Sequence, residues 1–259
     1  MALTNNKALV RETEAFVKKE TTFGTLAFPA ATDAIRITAI PSAPQKESFS
    51  ESEEIIYSRS KPDRARDLTP AANFDLKLYS RPSGAAGTAP QEDVLMEAAL
   101  GKKTVNAGVS VVYEPAIALP SFSLCWKEGH TWFFAAGCKV GSLAFDFAAK
   151  GYVNLGFSGM AQKVLFAGTS ETVAASTTEL LNLASGGALL FLAGSYVQVG
   201  SDDNTGAGYL ITAVDVDNDT ISISPALSGA PAAGVEVKGF LPTPSWSGTK
   251  VEARTGTVT

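Results

Sequence analysis

The sequence predicts a mainly β protein: a β-sandwich or barrel with one flanking α-helix and a long hairpin loop, then a small C-terminal or inserted β-barrel. Three observations carry this. Apolar and polar residues alternate with period two in segment after segment, as in "NFDLKLY", where Phe74, Leu76 and Leu78 interleave with Asp75 and Lys77. The 23 glycines and 13 prolines punctuate the chain into short runs. Only one stretch carries both the start and the stop signals of a helix. With 259 residues and 45% hydrophobic content, the chain is long enough for one large all-β domain plus a small one.

The opening "MALTNNKALVRETEAFVKKE" lacks the basic-then-apolar order of a signal peptide, and no run approaches the roughly 18 apolar residues of a membrane span. A soluble protein made in the cytoplasm is expected. Residues 46–80 read as a long hairpin, with "FSESEEIIY" facing "NFDLKLY" across the loop "SRSKPDRARDLTPAA", whose Pro62, Pro70 and four cations keep it exposed. Residues 46–67 hold eleven charged side chains, as many as the hundred residues from Gly101 to Gly200. The signs are sorted: Glu47, Glu51, Glu53 and Glu54 precede Arg59, Lys61, Arg64 and Arg66. The segment is either a solvated hairpin or one in which the basic tip of one copy meets the acidic strand of another, and head-to-tail matching of that kind makes rings or filaments.

A helix is predicted over 89–100. Thr88 is placed to cap it, Gln91 stands three residues on as in a capping box, and Gly101 supplies the stop. Val94, Leu95, Ala98 and Ala99 form a stripe suited to a sheet, and Glu92 and Asp93 suit the helix dipole. "TVNAGVSVVYEP", "PSFSLCWKE", "HTWFFAAGCKV", "SLAFDFAA" and "YVNLGFSGMA" then read as strands of a meander with a tight turn at Glu128-Gly129-His130. Charge nearly vanishes after Ser170, where a second unit begins. Within it, residues 186–240 read as a barrel of about five strands closed by the Pro-rich "LPTPSWSG". The expected division is 1–169 for the sandwich, 170–241 for an independently folded peripheral barrel, and 242–259 for a tail returning to the first unit.

No catalytic constellation emerges. His130 is the sole histidine and sits in a hairpin turn, while Cys125 and Cys138 are too few for a disulfide framework and read as small buried apolar residues. "DVDNDT" spaces Asp215, Asp217 and Asp219 like a calcium loop, but Thr220 stands where that loop needs glycine and Ala226 where it needs glutamate. It reads as a hairpin turn. Glu51 and Glu53 share one strand with no apolar pocket to separate their pKa values, and no phosphate, zinc or dinucleotide motif is present. No catalysis, metal or cofactor is expected. A net charge of −5 and pI near 5.0 argue against tight nucleic-acid binding by counterion release.

"ESFSESEEIIYSRSKPDRARD", "YSRPSGAAGTAPQEDVLMEAALGKKTV" and "LPSFSLCWKEGHTWFFAAGCKVGSLAFDF...YVNLGFSGMA" resemble, in that order over residues 20–165, the major tail tube proteins of long-tailed bacteriophages. "GAGYLITAVDVDNDTISISPALSGAPAAGVEVKGFLP" resembles a small barrel carried on the outside of some of these tubes. The resemblance implies a structural virion protein whose strands join those of neighbours into hexameric rings, stacked into a hollow tube through which DNA passes without specific binding. It implies as partners further copies of the chain, the tape measure protein, the tail terminator and distal tail or baseplate proteins. It also places Glu51, Glu53, Glu54, Arg59, Lys61, Arg64 and Arg66 on the hairpin that contacts the next subunit or ring. A single-ring tail-completion or baseplate protein and a secretion-type tube protein share that architecture. Longer members return to the tube fold after the barrel, whereas here only the short stretch ending "VEARTGTVT" follows it.

Overall fold

The computed structural model describes residues 13–39, 41, 49–51, 64–66, 71–147 and 151–246, with 49–51 and 64–66 as backbone. In chain order come β1 (Ala15–Lys19), β2 (Ala34–Ile35), β3 (Phe49–Glu51), β4 (Arg64–Arg66), β5 (Ala72–Tyr79), α1 (Asp93–Leu100), β6 (Gly101–Asn106), β7 (Ser110–Pro115), β8 (Phe122–Glu128), β9 (Thr131–Phe147), β10 (Val153–Ala161) and β11 (Lys163–Ala167). A second sheet follows, made of β12 (Thr169–Glu171), β13 (Leu180–Asn182), β14 (Tyr196–Val199), β15 (Tyr209–Asp215), β16 (Thr220–Ser224) and β17 (Glu236–Gly239).

The first sheet runs β2-β1-β8-β9-β10-β5, with β11 also on β9. The period-two pattern explains how it is layered. In β1, Ala15 and Val17 turn to one core with Leu124, Trp126 and Ala135, while the intervening Phe16 turns to another with Cys125 and Phe134. These strands are therefore buried on both faces, as a middle layer must be. Against the first face pack β5 and β10, through Phe74, Leu76, Leu155 and Phe157, and α1 through Leu95 and Ala98. Against the second face packs the second sheet, ordered β12-β17-β14-β15-β16-β13, through Val197, Ile211, Ile221 and Val237. The mainly β sandwich read from the alternation is what forms.

The core of the strand set from residue 170 onward is continuous with Phe16, Cys125, Trp132 and Phe134 of the middle layer. At the contact, Trp132 lies so close to β17 that a methyl group on Gly239 would stand 2.6 Å from its ring. Bare backbone is required there. Beyond Leu241 the chain comes back to the first sheet, where the Ser245 N–H donates to the Ala31 carbonyl at 2.8 Å and the Arg36 guanidinium lies 5.2 Å from the Trp246 ring centre.

Four local expectations are corrected. The helix begins at Asp93, not residue 89, because Gln91 gives its side-chain amide to the Ala34 carbonyl at 3.0 Å and Glu92 accepts the Arg81 N–H and the Ser80 hydroxyl. Thr88 does not cap it. Among the described residues β5 pairs with β10, and β3 pairs with β4, while most of the acidic strand lies outside them. "TVNAGVSVVYEP" belongs to a separate β6–β7 hairpin turning at Asn106–Val109. Finally, residues 131–140 and 142–147, read as two strands, fall on the single 17-residue strand β9.

Candidate assembly interface

β9 positions the surface. Its first half is bonded on both sides, to β8 and β11, but from Gly141 onward it pairs with β10 alone among the described residues. Two irregularities take it out of the middle layer. At Gly137, where φ is +69°, the backbone adopts a conformation that favours glycine, and its N–H donates to Glu20 Oε1 at 2.7 Å. Gly141 is then the extra residue at the register shift between Ser158 and Gly159, a bulge that bends the strand further. Glu20 is only 6% exposed. Its Oε1 also accepts the Ser123 hydroxyl at 2.8 Å, and Oε2 accepts the Ser121 hydroxyl at 2.8 Å and the Gly24 N–H at 3.0 Å. Four donors on one carboxylate tie β1, β8 and the β9 corner into one rigid joint.

The arm beyond that joint ends in a strand edge that is free among the described residues, and such an edge is a template for another chain. At the far side of the β9–β10–β5 layer, β5 is met among the described residues by an Ile37–Leu78 bridge and by Thr38, whose N–H and hydroxyl both donate to the Lys77 carbonyl at 2.7 and 3.0 Å. The outward face between these edges carries short polar side chains that satisfy one another. The Ser142 and Ser158 hydroxyls are 2.7 Å apart, Asn154 donates to Asp146 at 3.2 Å, and Lys77 lies 3.8 Å from Asp75.

A second projection is the β6–β7 hairpin. Asp93 at the start of α1 anchors it, one carboxylate oxygen accepting Lys103 Nζ and the other the Tyr113 hydroxyl, both at 2.6 Å. Burial, then that bond, pushes the Tyr113 phenol above its usual value. Asp93 was read from sequence as a dipole residue. Its longer-range role was hidden because Lys103 and Tyr113 lie beyond the helix.

Of the charged residues singled out in the sequence, Glu51 stands directly opposite Arg64 in the β3–β4 ladder, and Arg66 stands opposite Phe49. Acidic strand and basic arm thus meet within one chain at that register. Glu53, Glu54, Arg59 and Lys61 lie outside the described residues. His130 is exposed in its turn, whereas Cys125 and Cys138 are buried, and burial pushes both thiols up, away from reactive thiolate. Asp215 accepts the N–H groups of Asp217 and Asn218 at 3.1 Å and the Asn218 amide at 2.7 Å, so the acidic turn spends its carboxylate on its own chain. Among the described residues no group of three or more His, Cys, Asp or Glu is placed to hold a metal.

Comparison with solved structures gives weak likenesses. A chain of the PVC extracellular contractile injection system, sheath–tube complex in the extended state, is 11% identical with a TM-score of 0.38, covering 64% of this chain and 94% of that one. A chain of the sheath/tube terminator of the same system is 10% identical at 0.38, covering 62% and 96%. A chain of the anti-feeding prophage cap, described as a tube-terminating cap, is 10% identical at 0.36, covering 60% and 87%. No match was found among curated proteins. The family model described as phage tail tube protein, in contrast, matches residues 11–236, nearly the whole described chain. The chain therefore belongs to the phage tail tube protein family, as a structural part of the virion tail and not an enzyme.

Proposed function

We propose that this protein forms rings of six copies that stack into the tail tube and conduct DNA during delivery. The observation that carries this reading is the β9–β10–β5 layer, which among the described residues is open at the β9 edge and nearly open at β5. If the β9 edge of each copy joins the β5 side of the next, unlike surfaces meet and the sheet closes around an axis. Its polar outward face then lines the lumen. With Asp75 and Asp146 against Lys77 and Lys139, that lining has no net positive charge, so phosphate is not held. The tape measure protein fits as the occupant of the lumen before DNA, and terminator and distal tail proteins as the caps at the two ends. The division into a tube body at 1–169, an accessory barrel at 170–241 and a returning tail at 242–259 belongs to this proposal, as does the placing of Glu51, Glu53, Glu54, Arg59, Lys61, Arg64 and Arg66 between subunits.

Negative-stain microscopy of the purified protein tests it directly. Six-fold end views and long tubes are the expected result. Single rings that never stack would point to a terminator-like role, and monomers at every concentration would sink the proposal.

A further inference from the structure

Phe145 and Phe147 are 49% and 68% exposed, yet they lie on the apolar side of their strand. Phe145 pairs with Leu155 and Phe147 with Val153, and directly paired residues share a face. Leu155 is fully within the core. The core therefore stops before the strand does, and two rings stacked 6.1 Å apart at 6° are left without cover among the described residues. They sit on the same stretch of β9 whose edge is unpaired among the described residues. At the opposite side of this layer, next to the bridge from Ile37 to β5, stand Arg36 and the Trp246 ring, which is 42% exposed.

We propose that the Phe145–Phe147 step docks on a second copy of the chain, along its β5 side near Ile37 and Trp246. Each copy then covers the aromatic arm of its neighbour. This rests on the tube reading, because it takes the free β9 edge as the subunit junction. A second copy is the occupant for two reasons. The aromatic step continues the strand edge that another chain must pair, and its apolar counterpart lies at the other edge of the same layer. Joining these unlike edges propagates from copy to copy, whereas a step packed on its own equivalent would make a closed two-fold dimer.

The test uses full-length protein in two forms. In Phe145→Ser/Phe147→Ser, fold and thermal unfolding should stay as in the parent, since both rings are exposed in the monomer, while the concentration needed for assembly should rise at least about tenfold. In the second form a photoreactive benzoylphenylalanine replaces Phe147, and illumination of the assembled protein should yield inter-chain adducts mapping to 36–39, 72–79 or 246. Polymer that forms equally well with serine at both positions would overturn this inference alone, as would adducts joining two copies at position 147. Parent protein that forms no polymer, together with a photoreactive form that gives no inter-chain adducts, would overturn the tube reading with it.

Discussion

Glu20 keeps its place in the interior because four donors converge on it, and no ion pair to it exists among the described residues. Replacing it by alanine strands two hydroxyls and two backbone N–H groups, so Glu20→Ala should lower the unfolding free energy by about 3–5 kcal/mol, read from urea midpoints. Glu20→Gln should cost less, since one accepting oxygen survives. Nothing in "VKKETTF" announces this role. Three of the donors come from Ser121, Ser123 and Gly137, 101 to 117 residues away, and a local pattern reports only on neighbours. Tyr209 gives a second prediction at this scale. Burial first, then its hydrogen bond to Asp202, pushes its phenol up to about 12 from the usual value near 10. The folded chain keeps a proton that the unfolded chain loses, so stability should fall as pH rises between 10 and about 12. Tyr209→Phe should make that fall shallower without abolishing it, because Tyr113 and Tyr196 are raised as well. Urea unfolding across this window measures the slope.

Alternation read β5 and β10 correctly from sequence because each lies on a layer whose two faces differ. It could not reveal that β9 is one strand serving two layers, since the break at Gly137 looks like any turn glycine. Nor could it choose the partner of the acidic strand, because β4 has only three residues and no periodicity to read. That pairing changes how the charged hairpin must be tested. With Glu51 opposite Arg64, reversing Arg59, Arg64 and Arg66 to Glu sets like charges together inside the hairpin as well as between copies. Restoring charge within one chain therefore separates nothing. Mixing does: the arginine-reversed protein and one carrying Glu51, Glu53 and Glu54 as Arg should each fail to polymerise alone and should form tubes together. Sedimentation of the mixture decides, and a mixture that stays soluble would confine the charges to contacts within each chain.

At the scale of the molecule, composition pointed to a boundary near Ser170, where charge fades, but it could not show that the middle layer is apolar on both faces. Phe16, Cys125, Trp132 and Phe134 need the second sheet as cover. Removing residues 186–240 with a short Gly-Ser join should therefore leave protein that aggregates, and calorimetry of the intact chain should show one cooperative transition instead of two. A soluble deletion product with an intact first sheet would refute the shared core. The passage of β9 through both halves of the first sheet has a further, mechanical consequence. A pull on the arm by an adjoining subunit is carried along the covalent strand to the Glu20 joint, where the hydrogen bonds of β8 and β11 resist it together in shear and not one at a time by peeling. A tube made of such subunits should bend by slippage at the seams between copies while each copy keeps its shape.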